Sequence, residues 1–433
     1  MGRLLEMFYT LTMTLAASLL LNPAQWLLVK LGRLPPTVAR QRRGEPPPLP
    51  APAGPRWLLH GASAGELAAS APLLTALAAR RPDLEIVISA SNAAGLATAR
   101  RLQQDHPMVR GVTCLPWDRH RILVAWLRRL RVRQVLVLET ELWPGLYRAC
   151  DTLGIPLRLL NARLYPTELT RYRWIVPLMR RTLARVAWLG ARDGADATRL
   201  RRLGACPARL AVVGELRFDL PMAPDPGGHL PGGRWILAAS THAPEERWLL
   251  AAFAALAPGR SDLRLVLAPR RVARSASIAH AARRRGLRVA CWSTLPARAD
   301  WQVLILDRLG VLPGLYGQAA VVFIGGSFGR QGGHSPVEAA LHGRAMVTGP
   351  AVAHVAAMVA TLRAVDGICQ IAAANALAGT LAALLDDPAA ARRLGDNARR
   401  WALGERGAAG RYANALLPTA PSGTGMGGRG APG

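Results

Sequence analysis

The sequence predicts an α/β protein with two Rossmann-like, doubly wound domains and an apolar N-terminal helix. From Trp57 onward, short buried strands alternate with helical segments, and the alternation restarts after a Pro/Gly-containing segment at His229–Gly233. Such alternation is typical of parallel sheets covered by helices on both faces. An uncharged apolar run, Met7–Leu21, precedes both domains. At 433 residues and 51% hydrophobic composition, the chain is long and apolar enough for two cores.

The N-terminal apolar segment predicts a membrane anchor. Met7–Leu21 alone is shorter than the about 20 residues that cross a bilayer, but together with Gln25–Lys30 it is long enough, with a kink at Pro23. A signal peptide is the alternative, yet Glu6 adjoins the apolar run and no A-x-A cleavage site follows. We therefore predict an uncleaved anchor and basic segment over residues 1–44. The arginines after the apolar run place the following domains on the cytoplasmic side of the membrane.

The remaining chain divides into two domains and a tail. Glu45–Pro55 is rich in proline and predicts a linker at the start of the first domain, residues 45–228. The second domain covers residues 229–417, and the Pro/Gly/Ser-rich tail, residues 418–433, is predicted to be disordered. Two such domains of similar size are expected to face a cleft, with ligands at the carboxyl ends of the strands.

The hydrophobic pattern predicts thirteen strands and several helices. The predicted strands are 57–60, 86–90, 112–115, 135–139, 157–160, 187–191, 210–213, 235–239, 263–268, 288–291, 303–306, 321–324 and 345–348. The predicted helices are 66–80, 94–103, 244–256, 275–285, a helix beginning at 336, and helices near 376–385 and 389–403.

A glycine-rich loop follows the predicted strand Val321–Ile324. Ser335 is predicted to cap the next helix, with Pro336 at its first position and Glu338 in its first turn. Free N–H groups at such a turn favour a phosphate, although an ordinary strand-to-helix turn has the same pattern. The loop matches neither G-x-x-x-x-G-K-[ST] nor G-x-G-x-x-G, so a P-loop or dinucleotide site is not supported.

Composition narrows the class of partner. The net charge is +28 and all but one of the 55 basic residues are arginine, which favours a polyanion, an anionic lipid or a phosphorylated substrate. The arginines are dispersed, and no aromatic-interleaved basic patch typical of a nucleic-acid module occurs. Five scattered cysteines without C-x-x-C spacing argue against a disulfide framework or a zinc site.

Eight sequence blocks, taken in order, resemble those of one enzyme family. Their unusual members, ETELWP above all, and their shared order make this a stronger signal than any single motif. The blocks are HGASAGE (60–66), LPWD (115–118), ETELWP (139–144), NARL (161–164), GELRFD (214–219), AASTHAPEE (238–246), APRRVAR (268–274) and IGGSFGRQGGHSPVEAALHGRAMVTGP (324–350). They resemble the 3-deoxy-D-manno-octulosonic acid (Kdo) transferases of lipopolysaccharide assembly.

This resemblance implies a GT-B-type glycosyltransferase that transfers Kdo from CMP-Kdo to a lipid A precursor, lipid IVA, with inversion. It also implies a location at the cytoplasmic face of the inner membrane, no metal site and no cofactor beyond the donor substrate. The dispersed arginines predict no nucleic-acid partner. Two alternatives remain open. One is a related transferase that uses another nucleotide-activated acid sugar, and the other is a catalytically silent paralogue that binds membrane or lipid.

The resemblance also implies roles for individual residues. Glu66 resembles the family's catalytic base, although Ser63 and Glu66 equally have the spacing of a capping box. Ser63, Gly65, Glu139 and Glu141 are expected on the acceptor side, while the two latter carboxylates also suit a helix start. The donor contacts implied by the resemblance are Arg217, Ser240, Thr241, His242, Arg270, Gly332, Gly333, His334, Ser335 and Glu338. His242 could equally cap its own loop, and His60 is interpreted as structural.

Several positions depart from the family's pattern, and they cluster on the donor side. This clustering leaves another activated acid sugar as an alternative donor. Arg271 stands for the His of the family's PRH, and Val311 stands for the Glu of its GEL segment. Ser335 and Ala339 stand for the Asn and the last Pro of GGHNPLEP. Glu215 and Arg217 stand for the Asn and the Lys of GNLKFD.

Overall fold

The structure is a computed structural model that describes residues 1–224, 232–295 and 300–417. These residues form two compact units. The first unit contains residues 1–164, 169–219 and 407–417, and the second contains residues 165–168 and 220–406. The predicted tail, residues 418–433, and part of the predicted linker at 229–233 lie outside the described residues.

The first unit is built on a seven-stranded parallel sheet with the order β3-β2-β1-β4-β5-β6-β7. The strands are nearly continuous apolar runs because helices cover both faces of the sheet. The strands are β1 Arg56–Gly61, β2 Glu85–Ala90, β3 Val109–Cys114, β4 Gln134–Leu138, β5 Leu157–Ala162, β6 Val186–Ala191 and β7 Leu210–Val212.

Helices follow the strands of this first sheet. Their apolar faces form one core cluster around Trp126 and Leu146 and another around Leu67 and Tyr412. After the N-terminal helix, the helices are Pro36–Arg42, Ala64–Ala69, Ala71–Arg80, Ala93–Asp105, His120–Leu130, Pro144–Leu153, Val176–Ala184, Gly194–Leu203 and Ala408–Leu416. The helix Pro166–Tyr172 has its first three residues assigned to the second unit and the rest to the first.

The second unit repeats this architecture with the strand order β10-β11-β9-β8-β12-β13-β14. Its strands are β8 Arg234–Thr241, β9 Leu263–Pro269, β10 Val289–Cys291, β11 Val303–Ile305, β12 Val321–Ile324, β13 Ala345–Thr348 and β14 Cys369–Gln370. Its helices are Glu245–Leu256, Ser275–Arg283, Leu312–Leu315, Val337–Leu341, Ala356–Ala364, Leu377–Asp386 and Pro388–Gly404. Two parallel seven-stranded sheets with helices confirm the predicted fold class.

The N-terminal apolar segment is one long helix over Gly2–Lys30, and by length and composition it can cross a membrane. Ala17–Leu21 forms a π turn directly before Pro23, whose missing N–H leaves the preceding turn without a donor. Most of the helix exposes apolar side chains, but Glu6 is buried and forms ion pairs with Arg181 (3.1 Å) and Arg185 (2.7 Å).

The same helix is attached to the first unit by a second polar contact. The Tyr9 hydroxyl donates to Asp118 Oδ2 at 2.8 Å, and the Asp118 carboxylate also accepts from the backbone N–H groups of Gly145 and Leu146. Glu6 and Tyr9 lie one turn apart, so one face of the helix is fixed to the unit. The opposite face presents Leu4, Met7, Leu11 and Leu15 to the surroundings.

Several features differ from the sequence prediction. The predicted helix 66–80 is two helices that meet at Ser70, since Pro72 starts a new helix. The helix predicted from Pro336 begins at Val337, and Cys369–Gln370 is an additional two-residue strand.

The last helix, Ala408–Leu416, belongs to the first unit, whereas the sequence assigns it to the second domain. Its Tyr412 is fully buried there and donates to the carbonyl oxygen of Gly190 at 3.0 Å. Neither this helix nor the sheet on which it packs was predicted from the sequence.

Candidate functional site

In the first unit, the candidate site lies where the strand order reverses. β1 and β4 are neighbours at this switch point, and doubly wound sheets bind ligands at the carboxyl ends of such strands. The loop after β1 leads to Ser63 and Glu66, and the loop after β4 carries Glu139 and Glu141. The structure therefore brings the predicted acceptor-side residues to one edge of one sheet.

Glu66 forms the capping box that its spacing with Ser63 predicts. The Ser63 hydroxyl donates to Glu66 Oε1 at 2.8 Å, the Ala62 N–H donates to Oε2 at 2.7 Å, and the Glu66 N–H faces Ser63 Oγ at 3.4 Å. Burial and the nearby charge of Glu139 raise the pKa of Glu66 above its usual range, with a smaller effect from Glu141. The helix cap thus holds a carboxylate with increased proton affinity at the strand end, and the two interpretations of Glu66 are compatible.

Glu139 is a buried ion-pair centre. It has a left-handed backbone conformation (φ 56°) and its carboxylate accepts a hydrogen bond from the Arg163 guanidinium. Arg217 Nη2 lies 3.5 Å from the other carboxylate oxygen of Glu139. The charge of Glu139 is, after burial, the next cause of the raised pKa of Glu66.

Glu141 has a different environment from Glu66. Its Oε2 accepts from Trp143 Nε1 at 2.7 Å and lies 3.8 Å from His60 Nε2. Burial alone would raise the pKa of Glu141, but His60, Trp143 and Arg163 outweigh it and lower the pKa. Two neighbouring carboxylates therefore have pKa values shifted in opposite directions, a pattern that separates a proton acceptor from a permanent anion.

Three further residues complete this cluster. His60 is fully buried, as expected for a structural residue, and its Nδ1 lies 2.9 Å from Ser89 Oγ. Its other nitrogen faces Glu141, which the sequence did not predict. Arg163, in the NARL block, was also not assigned a role, because only the fold brings it to Glu139. Arg217, predicted to contact the donor, lies in the first unit near Gly65, 3.8 Å from Glu215 Oε1.

In the second unit, the predicted donor residues collect at the carboxyl ends of three adjacent strands, β9, β8 and β12. Ser240 and Thr241 end β8 and His242 follows it, and Ser240 has a left-handed backbone conformation (φ 55°). Arg270 follows β9, and its N–H donates to the Thr241 carbonyl at 2.9 Å. Gly332 and Gly333, after β12, have positive φ values of 73° and 82°, which only glycine adopts readily.

His242 and His334 form a pair between two of these loops. Their Nε2 atoms are 2.9 Å apart and the rings are nearly parallel at 5.2 Å, so one nitrogen donates and the other accepts. Burial and the charges of Arg270, Arg271 and Arg274 lower the pKa of His242. The surroundings of this pair are therefore positive, which suits an anionic ligand.

The first part of the glycine-rich loop is occupied by a residue of the protein itself. Glu245, 2% exposed, accepts hydrogen bonds from the N–H groups of Gly326 (2.9 Å), Ser327 (2.8 Å) and Phe328 (3.2 Å). Burial raises the pKa of Glu245 although these N–H groups oppose the shift. The N–H groups of these three residues therefore already have an acceptor within the protein.

The end of the loop also differs from the prediction. The helix after it is only five residues long, with Pro336 at its N-cap. The Ser335 hydroxyl instead accepts from the Val337 N–H at 3.4 Å. Glu338 is half-buried in the first turn, and its charge contributes to the raised pKa of the buried Tyr316.

The two parallel sheets with their helices have the GT-B-type fold. Solved structures with this fold include a UDP-N-acetylglucosamine 2-epimerase of Listeria monocytogenes (TM-score 0.61, 15% identity, 84% of this chain and 96% of that one). Another is a glycosyltransferase from Rickettsia africae (TM-score 0.54, 10% identity, 85% of this chain and 100% of that one). At these identities the likeness concerns the fold alone.

Sequence relatives identify the family. The family model described as 3-deoxy-D-manno-octulosonic-acid transferase (kdotransferase) matches residues 37–220. The 3-deoxy-D-manno-octulosonic acid transferase of Bordetella pertussis is 32% identical over 389 residues, covering 85% of this chain and 88% of that protein. That of Haemophilus influenzae is 27% identical over 373 residues, covering 83% and 86%. The chain belongs to the Kdo transferase family of lipopolysaccharide biosynthesis.

Proposed function

We propose that the protein transfers Kdo from CMP-Kdo to lipid IVA, with inversion and without a metal ion or other cofactor, at the cytoplasmic face of the inner membrane. The observation that carries the proposal is the buried Glu66 at the switch point of the first sheet, with its raised pKa. The position and the chemistry of Glu66 both fit the base that an acceptor hydroxyl requires.

In the proposed reaction, a sugar hydroxyl of the acceptor gives its proton to the Glu66 carboxylate. The oxygen forms a bond to the anomeric carbon of Kdo while the bond from that carbon to the phosphate oxygen breaks, and CMP leaves with the electron pair. Each Glu66 oxygen accepts one hydrogen bond from Ala62 or Ser63, and each retains a lone pair for the acceptor hydroxyl. A single displacement of this kind inverts the anomeric centre.

We propose that the second unit binds the donor. The arginines around His242 supply positive charge for the phosphate and the sugar carboxylate of CMP-Kdo. The His242–His334 pair offers ring nitrogens for hydrogen bonds, and Glu338 is suited to accept hydrogen bonds from a ribose diol. Because Glu245 occupies the start of the glycine loop, the phosphate is expected nearer to Arg270 and Gly332–Ser335.

The decisive experiment is product analysis after incubation with CMP-Kdo and tetraacylated lipid A precursor. Mass spectrometry should show one or more added Kdo residues and released CMP, unchanged by EDTA. Loss of transfer in EDTA, restored by a divalent cation, would contradict the metal-independent mechanism.

A second candidate is a transferase with another nucleotide-activated acid sugar, which the departures at Arg271, Val311 and Ser335 favour. Calorimetric titration with CMP and with UDP separates the two possibilities. Preference for UDP would support the other donor, and binding of neither nucleotide would indicate a silent paralogue.

A further inference from the structure

An apolar groove runs between the N-terminal helix and the body of the first unit. Its volume is about 480 Å³. One wall consists of Leu5, Phe8, Tyr9 and Thr12 of the helix, and the floor is Leu142–Pro144 from the loop after β4. The opposite wall is formed by residues between Tyr172 and Met179. We call this space the apolar groove.

Polar contacts of the N-terminal helix hold it beside the first unit at the groove. Glu6 is paired with Arg181 and Arg185, and the Tyr9 hydroxyl is bonded to Asp118. These contacts fix the helix beside the unit without filling the space between them. Most residues that line the groove are apolar, and its volume lies within the roughly 300–1,000 Å³ typical of ligand pockets.

The groove ends at the candidate catalytic cluster. Glu141 lines it, accepts a hydrogen bond from the groove residue Trp143, and contributes to the raised pKa of Glu66. A molecule with its apolar part in the groove would therefore place its polar end near the proposed base.

The two elements that wall the groove also carry exposed side chains suited to a membrane surface. The helix exposes Leu4, Met7 and Phe8, and the segment of the opposite wall exposes Trp174 (76%) beside Arg173, whose guanidinium lies 4.7 Å from the Trp174 ring. Exposed tryptophan and arginine next to apolar side chains are typical of the interface with anionic lipid headgroups.

We infer that the apolar groove binds an acyl chain of the acceptor lipid, which positions the acceptor sugar at Glu66. This inference rests on the proposed function and assigns a subsite to it. A membrane phospholipid would fit the apolar walls equally well, but its headgroup does not react at the proposed catalytic carboxylate. The location of Glu141 therefore favours the acceptor.

The test compares two acceptors and three substitutions. The acceptors are a synthetic tetraacylated glucosamine disaccharide bisphosphate and the same disaccharide bisphosphate without acyl chains, each with CMP-Kdo and the full-length protein. Leu5→Trp narrows the groove, whereas Leu4→Trp places the same side chain at the neighbouring, 69% exposed position outside it. Thr12→Trp, at an exposed residue of the groove wall, is a second narrowing variant with little risk to folding.

We expect Leu5→Trp and Thr12→Trp to raise KM for the acylated acceptor about tenfold, the loss that follows when about two methylene groups leave an apolar site. Both variants should keep the wild-type rate with the chain-free acceptor, and Leu4→Trp should match wild type with both. Wild-type protein should show a lower KM for the acylated acceptor than for the chain-free one.

Equal wild-type KM values for the two acceptors, or an unchanged KM in both narrowing variants, would overturn the groove assignment alone. Weaker binding of phosphatidylglycerol vesicles by both narrowing variants than by Leu4→Trp, with an unchanged KM for the acylated acceptor, would assign the groove to phospholipid instead. If wild-type protein transfers Kdo to neither acceptor, the proposed function fails, and the groove assignment fails with it.

Discussion

Replacing Glu66 by glutamine tests the proposed base with little change in shape. The amide oxygen can still accept from the Ala62 N–H, and the Ser63 hydroxyl can turn to accept from the new NH₂ group, so the helix start is retained. What is lost is the ability to take a proton. General-base catalysis contributes roughly 10²–10⁴-fold, so the activation free energy should rise by about 2.7–5.5 kcal/mol.

Although Glu66→Gln should lose activity, it should be more stable than wild type at neutral pH. Because burial and the Glu139 charge raise the pKa of Glu66 in the folded state, the fold favours the protonated carboxyl. This contribution is fully present below the unfolded pKa and is lost as pH rises through the folded pKa. A glutamine carries no charge that burial could penalise. The melting temperature of Glu66→Gln should therefore exceed that of wild type most clearly at neutral pH. The difference should shrink as pH falls toward about 4.3.

The assay measures kcat with CMP-Kdo and acylated acceptor, together with CMP affinity by calorimetry. Glu66→Gln should lose turnover and retain CMP binding, and wild-type activity should fall in acid as Glu66 is protonated. Glu141→Gln is the matched control, because its pKa is lowered and it is the weaker proton acceptor. Near-normal turnover in Glu66→Gln would refute the reasoning, and a loss confined to Glu141→Gln would make Glu141 the base.

Three further predictions concern other parts of the chain. Glu338→Ala should weaken CMP binding by roughly 1–3 kcal/mol through lost hydrogen bonds to a charged acceptor. Asp396→Ala, at an exposed position, should leave CMP binding unchanged. Equal CMP affinities of Glu338→Ala and wild type by calorimetry would remove Glu338 from the site. Deleting residues 1–30 should move the protein to the soluble fraction with its folding transition retained, and a salt-resistant membrane fraction would place the anchor elsewhere. Glu245→Ala leaves the N–H groups of residues 326–328 without their acceptor and should lower stability by roughly 2–5 kcal/mol, with unchanged melting as the contrary result.

Strand positions were predictable from sequence because buried parallel strands are continuous apolar runs. Val321–Ile324 and Ala345–Thr348 match the structure residue for residue. The helix break at Ser70 was not predicted, since helical periodicity continues across it while Pro72 ends the hydrogen-bond ladder.

The candidate site was predictable where a motif and a strand end coincide, as at Glu66 and Glu141. It was less predictable where the partner comes from a distant segment. The pairing of Glu139 with Arg163, and the position of Glu245 in the glycine loop, depend on neighbouring strands that only the folded sheet brings together. A motif records residue types at a fixed spacing, but it does not record which buried donor already has an acceptor.

Glu245 has a consequence for the energetics of ligand binding. Because this carboxylate already holds the amides of residues 326–328, the loop is ordered in the free protein, and its conformational entropy is lost during folding instead of at nucleotide association. These three amides should therefore exchange slowly with deuterated solvent before any nucleotide is added. Their exchange rates should change little on saturation, in contrast to loops that become ordered only around a phosphate.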